Sequence, residues 1–80
     1  MNKCPCFGKV LRRLRHERGL SQEELAEKLD MSSHAHLCRL ESGNKQPSLA
    51  MVFRIADALD IPAEEIVRLT DEERKREQTY

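Results

Sequence analysis

Eighty residues are enough for one small domain, and this length excludes a multidomain enzyme. Hydrophobic residues make up 39% of the chain and charged residues 35%, a balance that favours a folded soluble domain over a disordered one. One Tyr, two Phe and no Trp are too few rings for a surface that stacks single-stranded nucleic acid. Duplex DNA therefore remains open as a partner.

The charges balance overall but are unevenly distributed. Fourteen basic residues match fourteen acidic ones, which argues against indiscriminate binding of polyanions. Residues 1–20 hold six basic residues and one acidic residue, whereas residues 46–80 hold five basic and eight acidic, so one end could face phosphate. The longest apolar run, residues 49–53, is far below the roughly 20 residues of a membrane span. With no signal-peptide pattern either, we expect a cytoplasmic protein without a membrane partner.

Two amphipathic helices are predicted in the first 30 residues. The first covers residues 7–18, and Gly19 ends it. Ser21 and Glu24 then form a capping-box pattern, which begins a second helix over residues 22–29. The first helix has apolar residues three and four positions apart, namely Phe7, Val10, Leu11 and Leu14.

Three further helices follow. Ser32 and Ser33 offer N-caps for a third helix over about residues 33–41, which ends at Gly43. Ser48 caps a fourth helix with an apolar stripe, and Pro62 introduces a fifth that runs to about Leu69. Beyond residue 70 no apolar side chain precedes the final residue, so we expect a frayed helical extension or a tail. The stripe of the fourth helix is Leu49, Val52, Phe53, Ala56 and Leu59.

The expected fold is all-α, with five short helices and no strand. Residues 1–6 are assigned to an N-terminal tail, residues 7–70 to the domain and residues 71–80 to a charged C-terminal extension. The spacing predicts a core of Leu11, Leu14, Leu20, Leu25, Ala26, Leu29, Met31, Leu37, Leu40, Leu49, Val52, Ile55, Ala56, Leu59, Ile61 and Ile66.

Three segments carry motifs in a fixed order: residues 11–32 read LRRLRHERGLSQEELAEKLDMS, residues 37–49 read LCRLESGNKQPSL, and residues 55–61 read IADALDI. Together they closely resemble the lambda-repressor-like helix-turn-helix family, also called the Xre or Cro-repressor type. The resemblance implies that the second and third helices form a helix-turn-helix whose third helix enters the major groove of duplex DNA. Between Ser32 and Leu37 this chain has one residue more than the family pattern.

The resemblance also implies roles for individual residues. Gln22 matches a glutamine that contacts phosphate and braces the recognition helix. Three residues predicted to lie on the recognition helix or its flank also have plainer alternatives. Arg39 could be a surface arginine paired with an acid, and His34 and His36 could each be a solvated side chain. Lys9, Arg12 and Arg13 are weaker candidates for contacts to DNA. The recognition helix and its flanks supply Ser33, His34, Ala35, His36 and Arg39, and the following loop supplies backbone contacts from Asn44, Lys45 and Gln46.

Arg15 lies four residues before Gly19, where the family has an arginine that pairs with the glutamate closing the third helix, here Glu41. We expect this ion pair to be structural. Three cysteines in a chain of this kind predict free thiols, and Cys4-Pro5-Cys6 is spaced too tightly for a zinc knuckle. We expect no metal and no cofactor. The alternatives are a zinc or copper site using the histidines, and an oxidation sensor at Cys38.

The function that the resemblance implies is a sequence-specific transcriptional regulator, a repressor or controller, that binds double-stranded DNA as a homodimer on an inverted repeat. The fifth helix and the tail are the expected dimer interface. The alternatives are the antitoxin of a toxin pair and a helix-turn-helix module that binds another protein instead of DNA. An enzyme is not expected, because no catalytic constellation is present.

Overall fold

The computed structural model describes residues 5–31 and 33–78. Within these residues the chain forms five helices and no strand, so the all-α prediction is confirmed. In chain order they are α1 (Cys6–Glu17), α2 (Gln22–Lys28), α3 (Ala35–Ser42), α4 (Leu49–Leu59) and α5 (Ala63–Gln78). No helix in the described part is long and apolar enough to cross a membrane.

The turn between α1 and α2 follows the predicted signals. Gly19 adopts a left-handed φ of +69°, and the Leu20 amide donates to the Arg15 carbonyl at 3.1 Å, which closes α1. Ser21 Oγ accepts from the Glu24 amide at 3.0 Å, and the Glu24 carboxylate accepts from the Ser21 amide at 2.8 Å. These hydrogen bonds lower the pKa of Glu24. The predicted capping box is therefore confirmed.

The start of α3 differs from the prediction. The helix begins at Ala35 with His34 as its N-cap, and no side chain bonds to the cap. Ser33 lies one residue before the N-cap, and its Oγ accepts from the Ala35 amide at 3.4 Å. Ser32, the other predicted cap, lies outside the described residues. Because the Cys38 amide already donates to the His34 carbonyl at 2.9 Å, α3 is regular from its first turn. The extra residue therefore does not interrupt α3.

Helix α5 continues past Leu69, its predicted end, to Gln78, so of the two alternatives for this segment the structure has the helical extension. Local ion pairs replace apolar burial along this segment. Arg68 bonds to Glu65 and Glu72, and Asp71 pairs with Arg74 at 2.5 Å and with Lys75 at 3.1 Å. At the last turn, Glu77 bonds to α1.

One apolar core joins the five helices and contains most of the predicted residues. Leu49 was predicted to lie in the core but is 66% exposed, because it begins α4 and no preceding helical turn covers it. Leu20, Met31 and Ile61 are only partly buried. Cys6 was expected in an exposed tail, yet it lies in the first turn of α1 and is buried. The buried set also includes Phe7 and Val10.

Two arginines cap helices from a distance in the sequence, which the sequence patterns did not indicate. Arg18 Nε donates to the carbonyl of Leu59, the last residue of α4, at 2.9 Å. Arg54 donates from α4 to the carbonyl of Leu29 at the end of α2. Both bonds satisfy carbonyls that have no partner within their own helix.

Helices α1 and α3 approach each other closely at Gly8. A Cβ atom at this position would lie 2.4 Å from the Glu41 carbonyl oxygen and 2.5 Å from that of Leu40. Both obstacles are backbone atoms, which cannot move aside as a flexible side chain could. Glycine at position 8 therefore sets the separation of the two helices.

Gly8→Ala is expected to lower the free energy of unfolding by about 2 kcal/mol, although alanine favours helix by about 1 kcal/mol. The matched variant is Gly19→Ala, where nothing lies within 4 Å and only the left-handed backbone opposes a side chain. That strain costs about 1 kcal/mol. Urea denaturation of both variants measures the difference. A Gly8→Ala protein more stable than Gly19→Ala would contradict the close approach.

Candidate nucleic-acid interface

A buried ion pair fixes α3 against α1. Arg15 Nε donates to Glu41 Oε2 at 2.6 Å, and Arg15 Nη2 donates to Glu41 Oε1 at 3.1 Å. Both residues are largely removed from solvent, with exposures of 6% and 9%. Two parallel bonds between a guanidinium and a carboxylate restrict orientation as well as distance. The orientation of α3 therefore depends on this pair.

The network extends to α2. Gln22 Nε2, at the N-terminus of α2, donates to Glu41 Oε1 at 3.0 Å. Arg15 Nη1 donates to the Leu20 carbonyl at 2.8 Å, in the turn between α1 and α2. The structure thus places Gln22 against the last turn of α3, in agreement with its predicted bracing role. Glu41 is the acceptor that joins all three helices.

The exposed face of α3 carries the candidate base-reading residues. Ala35 and Arg39 are exposed, and His36 is half-buried. Among residues 5–31 and 33–78 no acid lies within ion-pair distance of Arg39, so the guanidinium is available to an external acceptor. This leaves its five donors to bind a base edge or a phosphate.

His34 and Ser33 lie before the first turn of α3 and are exposed. His34 Nδ1 is 3.9 Å from Glu23 Oε2 on α2. His36 instead lines a cleft of about 250 Å³ with residues of the loop after α3, Lys45 and Gln46 among them. The two histidines therefore lie in different surroundings, one beside α2 and the other beside the loop.

The loop after α3 is shaped by Gly43, whose φ of +84° ends the helix. Asn44 Nδ2 donates to Ser42 Oγ at 3.0 Å, which ties the loop back to α3. The amides of Asn44 and Lys45 both donate to the Arg39 carbonyl, at 3.0 and 3.2 Å. Lys45 is exposed, so the loop presents a positive charge next to the face of α3.

The remaining candidates lie elsewhere. Arg12 and Arg13 are exposed on α1, whereas Lys9 pairs with Glu77 at 2.5 Å. Cys38 is exposed on α3. In the part of the chain that the structure describes, no three His, Cys, Asp or Glu side chains come together as metal ligands. Cys4 lies outside that part.

The fold and this geometry define a helix-turn-helix protein: two short helices joined by a turn, with the outer face of the second one exposed. A family model described as a helix-turn-helix domain matches residues 7–69. The chain belongs to the helix-turn-helix family of DNA-binding transcriptional regulators, and the predicted resemblance to the lambda-repressor-like, or Xre, type is confirmed.

Two relatives support this family assignment. A protein of Sinorhizobium fredii named as an HTH-type transcriptional regulator is 37% identical over 65 residues, which are 81% of this chain and 83% of the relative. One from Methanothermobacter thermautotrophicus is 39% identical over 64 residues, which cover 80% of this chain and 91% of that protein.

Two crystal structures have similar folds. The restriction-modification controller protein C.AhdI from Aeromonas hydrophila is 38% identical with a TM-score of 0.70, over 75% of this chain and 86% of that one. The clp gene regulator ClgR from C. glutamicum is 25% identical with a TM-score of 0.80, over 90% and 92%.

Removal of either partner of the Arg15–Glu41 pair is expected to destabilise the domain strongly. Glu41→Ala should lower the free energy of unfolding by about 3 kcal/mol, because it leaves a buried guanidinium uncompensated. The Arg15→Met/Glu41→Leu double variant should cost less than the sum of Arg15→Met and Glu41→Leu. Urea denaturation of the four proteins in a double-mutant cycle measures the coupling. If the effects of the two single variants added within about 0.5 kcal/mol, the two side chains would not be coupled, which would contradict a stabilising role for the ion pair.

Proposed function

We propose that this chain regulates transcription by inserting α3 into the major groove of a specific duplex site, as a homodimer on an inverted repeat. The observation that carries the proposal is the exposed, acid-free Arg39 on a helix held by the buried Arg15–Glu41 pair. A guanidinium held in this way can donate two hydrogen bonds to guanine, which discriminates by about 1 to 3 kcal/mol against other bases.

The surrounding residues divide into two groups. Ala35, His34, His36 and Ser33 are assigned to base edges and their margins. The N-terminus of α2 at Gln22 and the loop residues Asn44 and Lys45 are assigned to phosphates, because helix-start amides and a lysine suit phosphate oxygens. The division separates specificity from affinity, so each group can be tested independently.

An exposed apolar patch supports the homodimer. Leu49 and Phe53 on α4 and Val67 on α5 are exposed by 66%, 52% and 54%, and no other large hydrophobic side chain in the described residues is so exposed. Val67 also lines a groove of about 340 Å³, together with Pro47, Val52 and Ile66. Burial of such a patch against a second copy would remove apolar area from water, and two-fold pairing would separate the recognition helices by about 34 Å.

The helix-turn-helix family contains several kinds of regulator, and one of them is favoured for this chain. The similarity to C.AhdI, a restriction-modification controller protein, supports a controller-type regulator as the leading member of the class. The alternatives are the antitoxin of a toxin pair and a module that binds another protein instead of DNA; the second predicts binding that barely depends on salt. We further propose a cytoplasmic location and no enzymatic turnover.

Selection from a randomised duplex pool with reduced protein is expected to enrich an inverted repeat. Arg39→Ala should relax specificity at one position of each half-site, whereas Lys45→Ala should weaken all sites uniformly and reduce the salt slope by about 1. The charge-matched control is Lys28→Ala, at the opposite end of α2 from Gln22. The proposal would be contradicted if no duplex sequence were enriched, or if the chain bound another protein with an affinity that does not depend on salt.

Phe53→Ser is expected to give a monomer, because it places a polar group in the exposed apolar patch without altering the core. Sedimentation equilibrium measures the association state. The monomer should still bind a half-site weakly but lose the gain from a second half-site, while its melting temperature at low concentration stays close to that of the wild type. A Phe53→Ser protein that remains dimeric would place the interface elsewhere.

A further inference from the structure

The last turn of α5 is attached to the first turn of α1 by three side chains, which we call the α1–α5 clamp: Cys6, Lys9 and Glu77. Cys6 Sγ donates to Glu77 Oε1 at 3.6 Å, and Lys9 Nζ donates to Glu77 Oε2 at 2.5 Å. The bond from Lys9 is the main reason that the pKa of Glu77 is lowered. Each carboxylate oxygen therefore has its own donor on α1.

This attachment is polar because the end of α5 has no apolar side chain with which to contact α1. From residue 71 to residue 78 the sequence contains no apolar side chain, and most of its charges pair with each other along the helix. Within this segment, the Glu77 carboxylate bonds to Cys6 and Lys9 of α1. The clamp thus reaches α1 from a segment that contributes nothing to the apolar core.

The same turn of α1 contacts the far end of α3. Gly8 lies between Cys6 and Lys9 and faces the carbonyls of Leu40 and Glu41, with no room for a Cβ. Pro5 lies against Gly43, where a Cβ would be 3.0 Å from Pro5 Cβ. Residues 5–9 are therefore held on one side by Glu77, and they support the end of α3 on the other.

Gly43 is also where the proposed phosphate-contacting loop begins. Asn44 and Lys45 follow it directly, and their amides bond to the last turn of α3. A shift of the first turn of α1 would change the surface against which Gly43 packs. Packed contacts of this kind transmit displacement, because the interior has little free volume to absorb it.

We propose that Glu77 is a positioning residue for DNA binding: through Cys6 and Lys9 it fixes residues 5–9, and these fix the loop at residues 43–45. The inference rests on the proposed function. It assigns to Glu77, in the C-terminal turn of α5, a role in DNA affinity, although its side chain is negatively charged and need not touch DNA.

The sign of one substitution separates this role from simple electrostatics. Glu77→Gln removes a negative charge, so an electrostatic effect alone would tighten binding to DNA. Loss of positioning instead weakens binding, by about fivefold at constant salt. Glu72→Gln is the matched control, because Glu72 is an exposed glutamate of α5 that bonds to Arg68 and not to α1.

The experiment measures affinity for the selected duplex and the amide chemical shifts of residues 43–45 without DNA. We expect Glu77→Gln to bind about fivefold more weakly and to move these amide signals, whereas Glu72→Gln does neither. The charge swap Lys9→Glu/Glu77→Lys should recover part of the affinity. Ile55→Val, a core variant that lowers stability without touching the clamp or the exposed patch, should keep wild-type affinity well below its melting temperature.

Unchanged amide signals at residues 43–45, or equal or tighter binding by Glu77→Gln, would overturn the inference. Weaker binding by Ile55→Val to the same extent would also overturn it, because general destabilisation would then explain the loss. If the wild type binds no duplex but the amide signals still move in Glu77→Gln, the proposed function fails while the link from α5 to the loop stands.

Discussion

The buried contact between Arg15 and Glu41 is the interaction on which the rest of the domain depends. A short α3 has little intrinsic stability, since isolated helices of fewer than about 12 residues are marginal in water. Its eight residues are held by the apolar contacts of Leu37 and Leu40 on one side and by Glu41 at the end. Because apolar contacts are not directional, the paired guanidinium and carboxylate supply the directional restraint.

The ion pair opposes folding through desolvation of its charges, but it also fixes the relative orientation of the helices. A buried ion pair is weak evidence for stability, because desolvation of both charges opposes their attraction. The pair in this domain also engages Gln22 and the Leu20 carbonyl, so it fixes α1, α2 and the turn between them relative to α3. A domain that must present one helix face to a rigid duplex gains from such a restraint, because misplaced donors lose both affinity and discrimination.

Much of the fold could be predicted from the sequence because its signals are local. Gly19, the capping box at Ser21 and the cap at Ser48 each involve atoms within a few residues, and the structure has all three. The errors arise where the deciding partner is distant. Cys6 is buried and bonds to Glu77, which is 71 residues away in the sequence, a contact that no short pattern contains.

The candidate site was predictable to a different degree. Family motifs placed Arg15 and Glu41 on facing helices, and the structure brings them into contact. The start of α3 was not predictable, because the extra residue could have entered either the turn or the helix, and only the geometry of Ala35 and Cys38 decides between them. The long-range helix cap by Arg18 likewise depends on the tertiary fold.

The most direct test of the central claim, that the exposed face of α3 reads duplex DNA while the ion pair holds the helix in place, is an NMR titration. Isotope-labelled protein would be titrated with its selected duplex, and amide shifts followed along the whole chain. The account predicts the largest shifts at residues 35–39, 44–45 and the N-terminus of α2, with no loss of the α1 signals. Shifts confined to the exposed patch on α4 and α5, or none at all, would contradict it.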